Sequence, residues 1–83
     1  MKKKKFPALN ELKVRLKDSN ITYRELSEKT GITVGALNDK INGYSAFDPD
    51  EVMSVASAVN ISPNDFTKCF FPKFYKEFYE NVS

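Results

Sequence analysis

Three sets of side chains in this 83-residue sequence carry enough chemistry to be weighed as sites. Asp48, Asp50 and Glu51 are carboxylates close enough in sequence to gather a metal ion. Pro49 between them points elsewhere. Asp48 caps a helix, Pro49 takes its first position, and Glu51 reaches back to the cap's backbone N–H. That reading explains the cluster without a metal. Cys69 is a lone thiol, so no disulfide forms within the chain, and a reducing compartment suits it. Beside Phe70 and Phe71 it reads as a small apolar filler. Asn38 and Asp39 offer adjacent hydrogen-bonding side chains, one a donor and acceptor, the other an acceptor. Material for catalysis is missing. There is no His, the commonest general base. No glycine-rich phosphate loop follows a strand, and no nucleophile has an activating partner. The expectation is a protein without enzymatic activity, metal or cofactor, working by recognition.

Charge is modest overall, +2, but unevenly placed. Residues 1–19 hold seven cations (Lys2, Lys3, Lys4, Lys5, Lys13, Arg15, Lys17) against Glu11 and Asp18. Residues 46–67 hold Asp48, Asp50, Glu51 and Asp65 with no Lys or Arg. A basic N-terminal part suits a polyanion such as DNA; it also suits a solubilising tail. No apolar run approaches the ~18 residues of a membrane span. The basic start lacks the apolar stretch of a secretory signal, so a cytoplasmic protein is expected.

Punctuation divides the chain into helices. Leu9, Leu12 and Leu16 share one face of a helix expected over residues 7–18. Thr22 with Glu25 forms a capping box opening a second helix, and Gly31 closes it from the left-handed region. Thr33 caps a third, which ends by Gly43. A fourth opens at Asp48 and turns Val52, Val55, Ala56 and Val59 inward. A fifth opens with Ser62-Pro63-Asn64-Asp65, by the same grammar, and turns Phe66 and Phe70 inward. No alternating pattern suggests a strand.

Residues 23–43 have the spacing of two helices crossing steeply over a short turn. Ser27 is the small residue at the crossing, and Gly31 makes the turn. Ile32 plugs the gap, while Leu37 and Ile41 anchor the second helix. With Leu37 inward, steps of about 100° put Gly35, Asn38, Asp39 and Asn42 outward.

These features, from Thr22-Tyr23-Arg24-Glu25-Leu26-Ser27 through Thr30-Gly31-Ile32-Thr33 to Leu37-Asn38-Asp39-Lys40-Ile41-Asn42-Gly43, resemble the phage repressor and Cro family of helix-turn-helix proteins. Phe47, Asp50-Glu51-Val52 and Asn60-Ile61-Ser62 continue the likeness. It is nearest to small regulators of phages and prophages of Gram-positive bacteria. The resemblance implies an all-α, five-helix, lambda-repressor-like domain that places its third helix in the major groove of an operator. It puts base reading on Val34, Gly35, Asn38 and Asp39. Asn38 suits adenine, Asp39 the amino group of cytosine, and Val34 a thymine methyl. Thr22, Tyr23, Arg24, Thr33, Lys40, Asn42, Tyr44 and Ser45 become candidates for phosphate. Many relatives carry longer polar side chains at positions 34, 35 and 39.

Beyond the motif, Phe71, Phe74, Tyr75 and Phe78 recur three and four apart around Pro72, with Tyr79 and Val82 extending the set. They form an aromatic stripe on a short extra helix. The stripe is either a lid on the domain's own core or an association surface, and the second is preferred. The expected organisation is a basic arm over residues 1–6, a helix-turn-helix domain over 7–71, and an aromatic helix over 72–83. The expected function is DNA-binding transcriptional regulation, as a homodimer on double-stranded DNA. The alternative is an antirepressor or modulator that uses the same fold to grip another phage regulator.

Overall fold

Helices begin where the caps sit. The computed structural model describes residues 3–80, apart from the side chains of Tyr79 and Glu80; Lys2 and Val82 lie outside it. In chain order the elements are α1 (Asn10–Asp18), α2 (Tyr23–Thr30), α3 (Val34–Ile41), α4 (Pro49–Val59), α5 (Pro63–Phe70) and α6 (Pro72–Tyr75), continued by a π-helical turn, Lys76–Glu80. Among the described residues there is no strand.

Both expected capping boxes form. Thr22 Oγ1 accepts from the Glu25 backbone N–H at 3.1 Å, and Asp48 Oδ1 accepts from that of Glu51 at 2.8 Å. Gly31 ends α2 at φ +79°, where a residue with a Cβ would be strained.

One expected start and one expected cap need correction. The first helix begins at Asn10, not Pro7. The backbone N–H of Lys5 and of Phe6 both donate to the Gly43 carbonyl, at 2.8 and 3.0 Å. That of Leu9 donates to the Ile41 carbonyl at 2.8 Å. Residues 5–9 are therefore drawn out along the end of α3 instead of coiling into α1. Ser62 likewise makes no side-chain cap. Its hydroxyl donates to Asp65 Oδ2 at 3.1 Å, so it braces a side chain and leaves the helix donors to others.

The core draws one to three residues from each of the first five helices. Leu12, Leu26, Leu37, Ile41, Val55 and Cys69 are fully buried. Each large aliphatic side chain taken from water contributes roughly 1.5–3 kcal/mol. Helix α2 packs on α3 and α4, and α1 on α3 and α5. Phe70 joins this core, meeting Phe47 edge-on at 6.2 Å and Phe66 at 5.2 Å between ring centroids. Cys69 sits in the filler position expected of it, and burial pushes its thiol pKa up, which keeps it protonated and inert.

Candidate nucleic-acid interface

Helix α3 is fixed from beneath by Leu37 and Ile41, both with no exposed surface. Rotation about its axis would drag these anchors from the core, so its outer face is defined. On that face Val34, Gly35 and Asn38 are exposed, and Val34 is 45% exposed despite being apolar. Asp39 and Asn42 lie at its margin, half-buried. Of the outward set derived from helical geometry, Gly35 and Asn38 are exposed, while Asp39 and Asn42 are partly turned into the protein.

Asn42 and Asn38 are joined. Asn42 Nδ2 donates to the Asn38 carbonyl at 2.8 Å and to Asn38 Oδ1 at 3.1 Å. The second bond fixes which end of the Asn38 amide is oxygen. The Asn38 amide nitrogen is left as its side-chain donor.

The entry to α3 is built by the turn after α2. Thr30 Oγ1 donates to the Leu26 carbonyl at 2.8 Å and accepts from the Ile32 N–H at 3.2 Å. This single hydroxyl bridges the last turn of α2 to the buried Ile32. Sequence reasoning gave Thr30 no role; a threonine just before a C-cap glycine is the signal that would have suggested it. Ser27 is half-buried, and its carbonyl accepts from the Gly31 N–H at 2.8 Å.

The phosphate candidates fall into three groups. Arg24 is exposed at the start of α2, beside the half-buried Tyr23, whose hydroxyl pKa is raised by burial. Thr22 and Thr33 are exposed but already serve as caps, Thr33 Oγ1 accepting from the Ala36 N–H at 3.1 Å. Asn42, Tyr44 and Ser45 cluster at the exit of α3, where the backbone N–H groups of Tyr44 and Ser45 turn back to the Asp39 carbonyl at 2.8 and 3.4 Å. Lys40 stands apart. Its ammonium donates to both carboxylate oxygens of Glu51, at 2.5 and 2.6 Å, and lies 5.9 Å from the centre of the Phe47 ring. It ties α3 to the start of α4, a structural duty that the sequence reading did not anticipate.

A short, anchored helix with a solvent-facing polar side, entered through a glycine turn from a capped helix packed against it, is the arrangement of the helix-turn-helix. A family model for the Cro/C1-type HTH DNA-binding domain matches residues 11–72. The chain belongs to this family. The same comparisons found no matching curated protein and no matching solved structure. For a Cro/C1-type domain, α3 and the start of α2 are the elements expected to meet DNA. The match ends at Pro72, so α6 lies almost wholly beyond the family's shared core.

The aromatic stripe runs from the end of α5 through α6 into the π-helical turn. Phe71, Phe74 and Phe78 are each about half exposed, and the last two stack with ring centroids 5.3 Å apart. Tyr75 is half-buried, with the Lys68 ammonium 6.0 Å from its ring centre. Phe6 and Pro7 face Phe71 and Phe74 across a shallow apolar groove, joining the two ends of the described chain. None of these phenylalanines is sealed as a core residue would be. Among the described residues no helix is long and apolar enough to cross a membrane. No group of three or more Cys, Asp or Glu among them could hold a metal ion.

Proposed function

We propose that this Cro/C1-type domain is a sequence-specific transcriptional regulator of the phage repressor and Cro kind. It lays α3 in the major groove of an operator and thereby occludes a promoter. The observation carrying this reading is the outer face of α3. Its anchors Leu37 and Ile41 are immobilised in the core while Val34, Gly35 and Asn38 stand in solvent. Val34 then meets a thymine methyl and Asn38 an adenine. Gly35 lets the duplex approach closely, and Asp39 accepts from cytosine at the margin. Arg24, Tyr23, Asn42, Tyr44 and Ser45 hold phosphates, with Thr22, Thr33 and Lys40 as supporting neighbours. The setting is the bacterial cytoplasm, in a phage or prophage of a Gram-positive host.

Residues 1–6 act as a basic arm, 7–71 as the reading domain and 72–83 as an association segment. Phe71, Phe74, Tyr75 and Phe78 bring two copies together on a pseudo-palindromic site. The experiment is selection of bound duplexes from a random pool, then a mobility shift of the selected site across a salt series. Enrichment of one site, with affinity falling steeply as salt rises, is expected. Failure to enrich any duplex overturns the reading.

One observation favours a second reading. Three half-exposed phenylalanines, two of them beyond the family's core, suit a protein surface as partner, as in an antirepressor that grips another regulator. A stable complex with such a regulator, without any duplex shift, distinguishes it.

A further inference from the structure

The exit of α3 carries an unusual junction. Two consecutive backbone N–H groups, of Lys5 and Phe6, converge on the one carbonyl of Gly43. A third bond, from the Leu9 N–H, takes the Ile41 carbonyl. Two carbonyls at the end of α3, normally left to water or a cap, are thus satisfied by a segment from the other side of the motif. The fit demands glycine twice. Gly43 is at φ +92°, and a Cβ there would lie 2.2 Å from the Phe6 carbonyl oxygen, well inside contact distance. That neighbour is backbone, held by its own hydrogen bonds, so it cannot swing aside as a flexible side chain would. Gly43 is itself buried in a chain segment that is otherwise at the surface.

We infer that Gly43 is a positioning residue for DNA binding, because it docks the basic N-terminal segment against the end of α3. The inference rests on α3 being the DNA-reading helix. Lys3, Lys4 and Lys5 are all exposed. Their segment meets the body at Gly43, between Asn42 and Tyr44, two positions assigned above to phosphate. A duplex lying on α3 carries its backbone past this exit. The docked segment therefore delivers lysines to phosphates flanking the site, instead of trailing them at random. A tethered but undocked arm would sample a large volume and spend little time at any phosphate; docking at Lys5 raises the local concentration of the Lys3 and Lys4 ammonium groups there. The segment also closes the exit of α3, so the same contact holds both the reader and its flanking charge.

The test separates docking from charge. Lys5→Pro removes one of the two N–H donors to Gly43 together with one charge; Lys5→Ala removes the charge alone. Lys5 is exposed and outside every helix, so both variants keep the core intact. Gly43→Asn is the third variant: asparagine tolerates positive φ, but its Cβ meets the Phe6 carbonyl and displaces the segment. Helix content by circular dichroism reports folding in each case. The readout is the dependence of log affinity on log salt for the selected duplex, in which each phosphate contact counts for about 0.9. Lys5→Ala should lower the slope by at most one contact. Lys5→Pro and Gly43→Asn should lower it further, toward that of a protein lacking residues 1–5. In that truncated background Gly43→Asn should change the slope no more. A slope for Lys5→Pro equal to that of Lys5→Ala overturns the inference, whether or not Gly43→Asn folds. The underlying reading is tested separately, by the ratio of affinities for selected and random duplexes. That ratio can be lost while the salt slope persists, or kept while docking proves irrelevant. A wild type that shifts no duplex at all overturns both.

Discussion

Lys40 of α3 and Glu51 of α4 form a two-pronged contact, Nζ lying 2.5 and 2.6 Å from the two carboxylate oxygens. Glu51 Oε1 also accepts from the Asp48 backbone N–H at 2.9 Å, so one carboxylate closes a capping box and clamps α3. Both side chains are about four-fifths buried, which spares the pair most of the screening that weakens surface ion pairs.

That geometry gives a pH dependence. The hydrogen bond from Lys40, then that from the Asp48 backbone, holds the Glu51 carboxyl below its ordinary pKa. A depressed carboxyl contributes stability above its unfolded value, about pH 4.3, and loses it as pH falls through the folded value. Glu51→Gln should cost about 1–2 kcal/mol at neutral pH, the worth of charge-assisted hydrogen bonds. Urea unfolding at pH 7 and then at successively lower pH should show the two proteins converging in acid. A constant difference down to the acid limit would mean that Glu51 acts by packing and not by charge.

Asn38 is the sharpest candidate for base reading. Asn38→Ala should cost about 1–3 kcal/mol on the selected duplex and much less on random DNA. Titration of both duplexes at one salt concentration measures the difference. Equal losses on both would reduce Asn38 to a phosphate contact.

The aromatic stripe is tested by association. Phe74→Ser with Phe78→Ser should leave a folded monomer that binds DNA far more weakly, because twofold pairing sets two reading helices about 34 Å apart, one turn of DNA. Sedimentation across a wide concentration range should show a wild-type dimer. A wild type that stays monomeric, with a double variant that unfolds, would make the stripe an intramolecular lid. A monomeric wild type with a folded double variant would point to a different protein partner.

Much of the fold was legible because its boundaries are local chemistry. Thr22 with Glu25, Asp48 with Glu51, and Gly31 each announce a helix end within four residues, and each forms as the spacing predicts. Leu37 and Ile41 could be placed inward by periodicity alone. What escaped was long-range. Pro7 looks like a first helical residue, yet the donors around it are claimed by carbonyls more than thirty positions away. Lys40 looks like a free cation beside a polar face, yet its partner lies on the next helix. Backbone docking and cross-helix ion pairs leave no mark in local spacing, because either partner reads sensibly without the other. Ser62 shows a local failure: serine before proline has the form of a cap, but the nearby Asp65 offers its hydroxyl a charged acceptor.

Among the described residues, every buried side chain in the core is apolar or a thiol, and none carries a charge. The ion pairs linking α1 to α5, Arg15 with Asp65 and Lys68 with Glu11, sit at the surface, where each is worth little. Raising the ionic strength therefore strips counterion-dependent contacts from the outside of the molecule while hardly touching what holds it together. Added electrolyte should therefore loosen this domain's hold on a polyanion well before it loosens the apolar scaffold.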